Sequence, residues 1–176
     1  DEIFKQLSQN YLKFRNTCKF CLDNLVSFDP DHLVQPDEML PLDKWAVTRL
    51  NTLIEKVFAA YDNYEFHVVS HMINDFCVVD LSSFYFDIIK DRLYCGEASG
   101  LERRSAQTAV WLILDAMTRM FAPILAFTCD EVWLAMPHRS ADDARNVLFN
   151  EMVQPYEAYA LDAEAMARWD TLIALR

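Results

Sequence analysis

The sequence predicts an all-α protein built as an antiparallel helical bundle, and three observations carry that prediction. Apolar side chains recur three and four residues apart along nearly the whole chain, no useful stretch alternates polar with apolar, and only Gly96 and Gly100 supply glycine in 176 residues. Hydrophobic residues make up 53% of the chain, enough to fill the interior of a domain of ordinary size.

The elements follow in order. Ile3, Leu7, Tyr11, Phe14, Cys18, Cys21 and Leu25 form one stripe of a first long helix. Residues 28–42 break the pattern with three prolines and an excess of acids, and read as a connecting loop. A second helix starts near Leu42, with Asp43 in the first turn where the helix dipole favours an acid, and runs through Trp45, Leu50, Leu53, Ile54, Val57, Phe58 and Tyr61. After a turn at residues 63–65, a third helix extends from Phe66 to about Tyr94. Its middle, residues 76–89, is apolar on several faces, which predicts a place at the centre of the bundle. Ser99 with Glu102, and Thr128 with Glu131, have the spacing of capping boxes. They predict a fourth helix from about Gly100 to Phe121 and another ending before Pro137, with Pro123 in the first turn of a short continuation between them. The segment up to Tyr159 reads as loop, and residues 163–175 as a last amphipathic helix through Met166, Trp169, Leu172 and Ile173. Two regions are expected: the bundle over residues 1–153, and a C-terminal helix over 154–176 that begins a following region.

Composition excludes several functions. Neither G-x-G-x-x-G nor a P-loop can be written with two glycines, so the common nucleotide-binding loops are absent. No apolar run approaches the roughly 20 residues of a membrane span, and Lys5, Lys13, Arg15 and Lys19 stand where a signal peptide is apolar. A soluble, cytoplasmic chain without a membrane partner is the expectation. Five cysteines in a chain of this size argue for reduced thiols. Cys18 and Cys21 form a C-x-x-C, but the other cysteines are single and distant, so two core thiols are favoured over a zinc site. His67, His71 and Asp75 stand on one helical face at metal-ligand spacing, yet lack the glutamate of H-E-x-x-H, and ordinary surface residues explain them as well. No catalytic residue and no metal ligand is assigned.

The charge is −11, which should repel a phosphate polymer. Its distribution is uneven. Residues 3–22 carry four bases and no acid, whereas residues 140–176 carry seven acids and three bases. A basic face can therefore persist at one end of an acidic body. Lys90, Asp91, Arg92 and Tyr94, followed by Arg103, Arg104, Ser105, Gln107 and Thr108, bracket the two glycines. Cations for phosphates, planar donors for base edges and a ring for stacking are what RNA contact requires; a solvated turn with internal ion pairs is the alternative.

Six ordered strings then carry a resemblance: residues 11–22 (YLKFRNTCKFCL), 42–50 (LDKWAVTRL), 60–67 (AYDNYEFH), 80–94 (DLSSFYFDIIKDRLY), 103–108 (RRSAQT) and 122–133 (APILAFTCDEVW). Together they resemble the anticodon-binding helical domain of the isoleucyl-tRNA synthetase family, whose valine, leucine and methionine counterparts share the bundle. The resemblance covers about residues 3–150 and implies a piece of a longer class I enzyme. In that family H-I-G-H and K-M-S-K-S signatures serve a catalytic domain that attaches isoleucine to tRNA with ATP, and a zinc-binding part lies further on; none of these occurs here. No cofactor is therefore expected in this chain, ATP and zinc belonging elsewhere in the parent. The implied partners are isoleucine-accepting tRNA and the catalytic domain of the same polypeptide. Candidate tRNA contacts are Lys13, Arg15, Asn16 and Lys19 on the first helix, Lys90 and Arg92 at the end of the third, and Arg103, Arg104 and Gln107 at the start of the fourth. A helical protein-interaction domain without nucleic acid is the rival reading.

Overall fold

The structure, a computed structural model, describes residues 2–175. Its elements are α1 (Glu2–Asn24), α2 (Pro41–Asp62), α3 (Phe66–Asp75), a π-helical segment (Phe76–Tyr85), α4 (Phe86–Cys95), α5 (Leu101–Phe121), α6 (Ala126–Ala135), single 3₁₀ turns at Val147–Phe149 and Glu157–Tyr159, and α7 (Ala163–Ala174). Among the described residues there is no strand, as the helical periodicity predicts.

Helix α5, not the apolar middle of the third helix, is the axis of the bundle. Every residue from Ser105 to Phe121 is buried, with α1, α2, α4 and α6 packed around it. Ala106, Ala109 and Ala116 let neighbouring helices approach closely, while Trp111, Leu112, Ile113 and Leu114 fill the larger gaps. Residues 76–89 instead form one wall. Phe76, Cys77, Leu81, Tyr85, Phe86 and Ile89 are buried in the core, the π-helical part packing on α1 and α2, while Val79 and Ile88 stay exposed.

That wall departs from α-helical geometry. Between α3 and α4 the backbone winds as a π-helix, and the hydroxyls of Ser82 and Ser83 donate to the carbonyls of Cys77 and Val78, five residues back. The wider turn brings Asp80 to Arg49 at 2.8 Å and the Tyr85 hydroxyl to Asp43 at 2.6 Å, both across to α2.

Neither expected capping box forms. Gly100 is the N-cap of α5, and Ser99 donates to Glu97 instead. Helix α6 begins two residues before Thr128, which leaves Thr128 and Glu131 free to meet α1. With glycine so scarce, Ser27 (φ 63°) and Tyr64 (φ 58°) take the left-handed positions after α1 and α2. Gly96 is required for another reason: a Cβ there would lie 2.4 Å from the Arg92 carbonyl oxygen.

Polar joints fasten the loops to the bundle. Thr108 Oγ1 accepts from the Val34 amide and Ser105 Oγ from the Leu40 amide, which holds the 25–40 loop against α5. The Tyr156 amide donates to Asn51 Oδ1, the Leu161 amide to Thr48 Oγ1, and the Tyr159 hydroxyl to the Val34 carbonyl. Residues 156–161 are thereby laid along α2, and Met166, Trp169 and Ile173 of α7 are half-buried against the same core.

Candidate nucleic-acid interface

The nine candidate residues fall into two groups. The first surrounds α1. Phe14, Thr17, Cys18 and Cys21 bury one arc of this helix, so Lys13, Arg15, Asn16 and Lys19 necessarily occupy the opposite arc. Asn16 lies between two depressions. Toward α4 is a hollow of about 280 Å³ lined by Asn16, Phe20, Phe86, Lys90 and Tyr94. The rings of Phe20 and Phe86 stack there, 4.2 Å between centroids, and Tyr94 is 64% exposed. Toward α6 is a hollow of about 230 Å³ lined by Arg15, Asn16, Lys19 and Glu131. A cation, an amide and an aromatic ring thus share one face, the combination that can hold a phosphate and stack an unpaired base.

The charges on this face are partly neutralised. Arg15 donates through Nη1 and Nη2 to both oxygens of Glu131, at 2.9 and 3.1 Å, and Nη1 also reaches the Tyr11 hydroxyl at 3.3 Å. These hydrogen bonds hold the Glu131 carboxyl below its usual pKa. Lys19 pairs with Asp23 and Lys90 with Asp87, at 2.7 and 2.8 Å. Lys13 has no ion pair among the described residues.

The second group lies at the α4–α5 junction, and two of its members are corrected by the structure. Arg92 is an internal strut: Nη1 and Nη2 donate to Asp43 at 3.0 and 2.9 Å, and Asp43 is fully buried. Burial opposes the charge on Arg92, but Asp43 outweighs it and the guanidinium pKa is raised. Gln107 is also interior. Its amide donates to the Asn24 carbonyl at 3.0 Å, supplying the partner that the last turn of α1 lacks, so it offers nothing to a base edge. Arg103 and Arg104 are half-buried. Arg103 donates to the Gly96 carbonyl at 3.3 Å and Arg104 to the His32 carbonyl at 2.6 Å, ties to backbone, and neither makes a direct ion pair among the described residues.

Asp43 was the residue that sequence reasoning undervalued. Beyond complementing the α2 dipole, it accepts hydrogen bonds from Tyr85, Arg92 and Ser105, joining four elements. Burial, with Asp43 next to it, pushes the Tyr85 hydroxyl well above its usual pKa, so it remains a donor.

The other constellations fall to packing. Cys18 and Cys21 are buried free thiols, their pKa values raised by burial. Among the described residues no three His, Cys, Asp or Glu side chains, His67, His71 and Asp75 included, are placed together as a ligand set. His67 and His71 instead border an apolar groove of about 420 Å³ with Leu7, Tyr11, Phe14 and Leu125. Ile3, Phe4 and Phe127 are also largely exposed, Phe127 to 94%. Among the described residues no helix is long and apolar enough to cross a membrane.

Comparison with known proteins agrees with this picture. Residues 43–175 match the family described as the anticodon-binding domain of tRNA ligase. Over 99% of its length the chain is 44% identical to the isoleucine–tRNA ligase of Thermoanaerobacter sp. (strain X514), and covers 19% of that protein. It is 42% identical to the enzyme of Syntrophotalea carbinolica and 44% identical to that of Coxiella burnetii (strain Dugway 5J108-111), in each case over all of this chain and 19% of the relative. The chain therefore spans 19% of the length of these relatives. With the helical architecture and the family match in agreement, the chain belongs to the anticodon-binding domain family of tRNA ligases.

Proposed function

We propose that this chain is the tRNA-binding module of an isoleucine–tRNA ligase, holding the anticodon stem-loop of isoleucine-accepting tRNA while a catalytic domain elsewhere in the same cytoplasmic polypeptide attaches isoleucine using ATP. The observation that carries this reading is the outward arc of α1, free of acids over residues 3–22, beside an aromatic-floored hollow. Lys13, Lys19 and Lys90 supply charge for backbone phosphates, Asn16 a planar donor and acceptor, and Tyr94 a ring for an unstacked base. Arg103 and Arg104 form a second basic spot toward the α4–α5 junction. A net charge of −11 does not oppose such contacts strongly at physiological salt, because charges more than about 8 Å away are screened. All the candidate contacts lie within residues 1–153, and the C-terminal segment after them packs on the same core.

The apolar groove beside α1 and α3 suits a different neighbour. Exposed Ile3, Phe4, Leu7 and Phe127 offer a protein surface rather than an RNA one, and the catalytic domain of the same polypeptide is the partner assigned to it. In the parent enzyme ATP and zinc would be held outside these residues.

The test is filter binding of isoleucine-accepting tRNA as a function of salt. If four phosphates are neutralised, affinity should fall by about 50- to 150-fold between roughly 50 and 200 mM salt. Lys13→Ala and Lys90→Ala should each weaken binding and flatten that dependence. Equal affinity for valine-accepting tRNA would point to a sister enzyme, and indifference to any tRNA at low salt would leave a protein-interaction domain.

A further inference from the structure

We infer that Glu131 is an internal phosphate mimic that gates Arg15, so that Arg15 grips RNA only by exchanging this carboxylate for a backbone phosphate. The inference rests on the RNA-binding reading above and adds a specificity-determining residue to it. The guanidinium fork of Arg15 is filled end-on by both Glu131 oxygens, in the two-point geometry that a phosphate also uses. The pair lies in the open, with Arg15 45% and Glu131 63% exposed, so water and ions already compete for it and its exchange is inexpensive.

The surroundings suit an exchange more than a fixed clamp. Nη1 of Arg15 also donates to the Tyr11 hydroxyl, which is hydrogen-bonded to Thr128 of α6 at 3.3 Å. When the carboxylate leaves, Tyr11 still orients the guanidinium. Asn16, Lys19 and the Asp23 carboxylate that pairs with Lys19 at 2.7 Å line the same hollow, so a phosphate that reaches Arg15 meets an amide and a second cation whose own exposed ion pair it must also exchange. A polyanion that does not place a phosphate in the fork gains nothing from Arg15 and meets an exposed carboxylate. Glu131 thus makes the Arg15 guanidinium available only on correct seating.

Glu131→Gln keeps the shape, removes the competing charge and should tighten binding. Filter binding of isoleucine-accepting tRNA should show a two- to fivefold gain in affinity, of the order expected for releasing one exposed ion pair. The slope of log affinity against log salt should steepen by about 0.7 to 0.9, the share of one further phosphate. In an Arg15→Ala background the same substitution should give no gain, which separates release of Arg15 from a general change of field. Unchanged or weaker binding by Glu131→Gln, alongside salt-sensitive binding of the wild type, overturns this inference and leaves the RNA-binding reading standing. A gain that persists without Arg15 overturns it as well. Failure of both wild type and variant to bind at low salt overturns both. Should the pair only tie α1 to α6, the variant would lose thermal stability without gaining affinity.

Discussion

Replacing Asp43 by alanine removes the acceptor on which four elements converge. Three groups then lose a partner, and their burial sets the cost. The Tyr85 hydroxyl is fully buried and has no other acceptor within the described interior, a loss of about 1–3 kcal/mol. Arg92 retains 18% side-chain exposure and a weak contact to the Glu102 carbonyl at 3.4 Å, so part of its charge can turn to water. Ser105 still accepts from the Leu40 amide and loses only what it donated. Removing one partner of a buried ion pair costs about 3–5 kcal/mol, and the three losses together fall in that range. Asp43→Asn keeps the volume and one carbonyl acceptor, and should cost about 1.5–3 kcal/mol, the value of hydrogen bonds to a charged group. Urea unfolding followed by helical circular dichroism gives both values. Arg168, whose pair with Glu164 is three-quarters exposed on each side, provides the comparison: Arg168→Ala should leave the midpoint unchanged. A loss below 1 kcal/mol for Asp43→Ala, or one no larger than for the α7 variant, would refute the assignment of Asp43 as the joint of the bundle.

Other outcomes follow from the same structure. Arg92→Ala should lower stability by about 2–4 kcal/mol while leaving the salt slope of tRNA binding unchanged, whereas Lys13→Ala should keep stability and flatten the slope by about 0.7. Native-state titration with a thiol reagent should modify Cys95 alone, because burial pushes the Cys77 and Cys129 thiols up to about 12 and those of Cys18 and Cys21 above their usual value; rapid labelling of Cys18 or Cys21 would revive a role for the C-x-x-C. Stability should fall in acid. Asp29, Asp31, Glu131 and Asp143 are held below their usual pKa values by hydrogen bonds to His32, Ser140, Arg15 and Arg145, Asp143 at about 2. A carboxylate depressed in the folded state contributes above its unfolded pKa and loses that contribution as pH drops through the folded one, so the decline should run from about pH 4.5 toward 2 and show in acid unfolding curves. Gly96→Ala should destabilise the α4–α5 turn, since its Cβ would overlap the Arg92 carbonyl oxygen, and thermal unfolding would register the loss.

The helices were legible because each buries one stripe, and a stripe is written in local spacing. The π-helical winding was not. With Phe76, Cys77, Val78, Val79, Leu81, Phe84, Tyr85 and Phe86 so close together, almost any period finds an apolar face, and the choice is made by Asp80 and Tyr85 meeting partners on α2. The place of α5 was hidden by its polar residues. Gln107, Asp115 and Arg119 look solvated in sequence, but beyond the local Asp115–Arg119 pair their partners lie elsewhere in the chain: Asn24 for Gln107, Tyr156 for Asp115, and Asp142 for Arg119. The same blindness affected the interface. The exposed arc of α1 can be read from the stripe opposite it, which places Lys13, Arg15, Asn16 and Lys19 on the surface. The pairing of Arg15 with Glu131 spans 116 residues and has no local trace, and the spacing of Thr128 and Glu131 suggested a cap instead.

The most direct test of the account is a nuclear magnetic resonance map of this chain titrated with an RNA hairpin carrying the isoleucine anticodon stem-loop. The account predicts that amide shifts concentrate on α1 around Lys13, Asn16 and Lys19 and on α4 around Lys90 and Tyr94, and fade as salt is raised. Shifts centred on the groove of Leu7, His71 and Leu125, or on the acidic C-terminal segment, or no shifts at low salt, would contradict it.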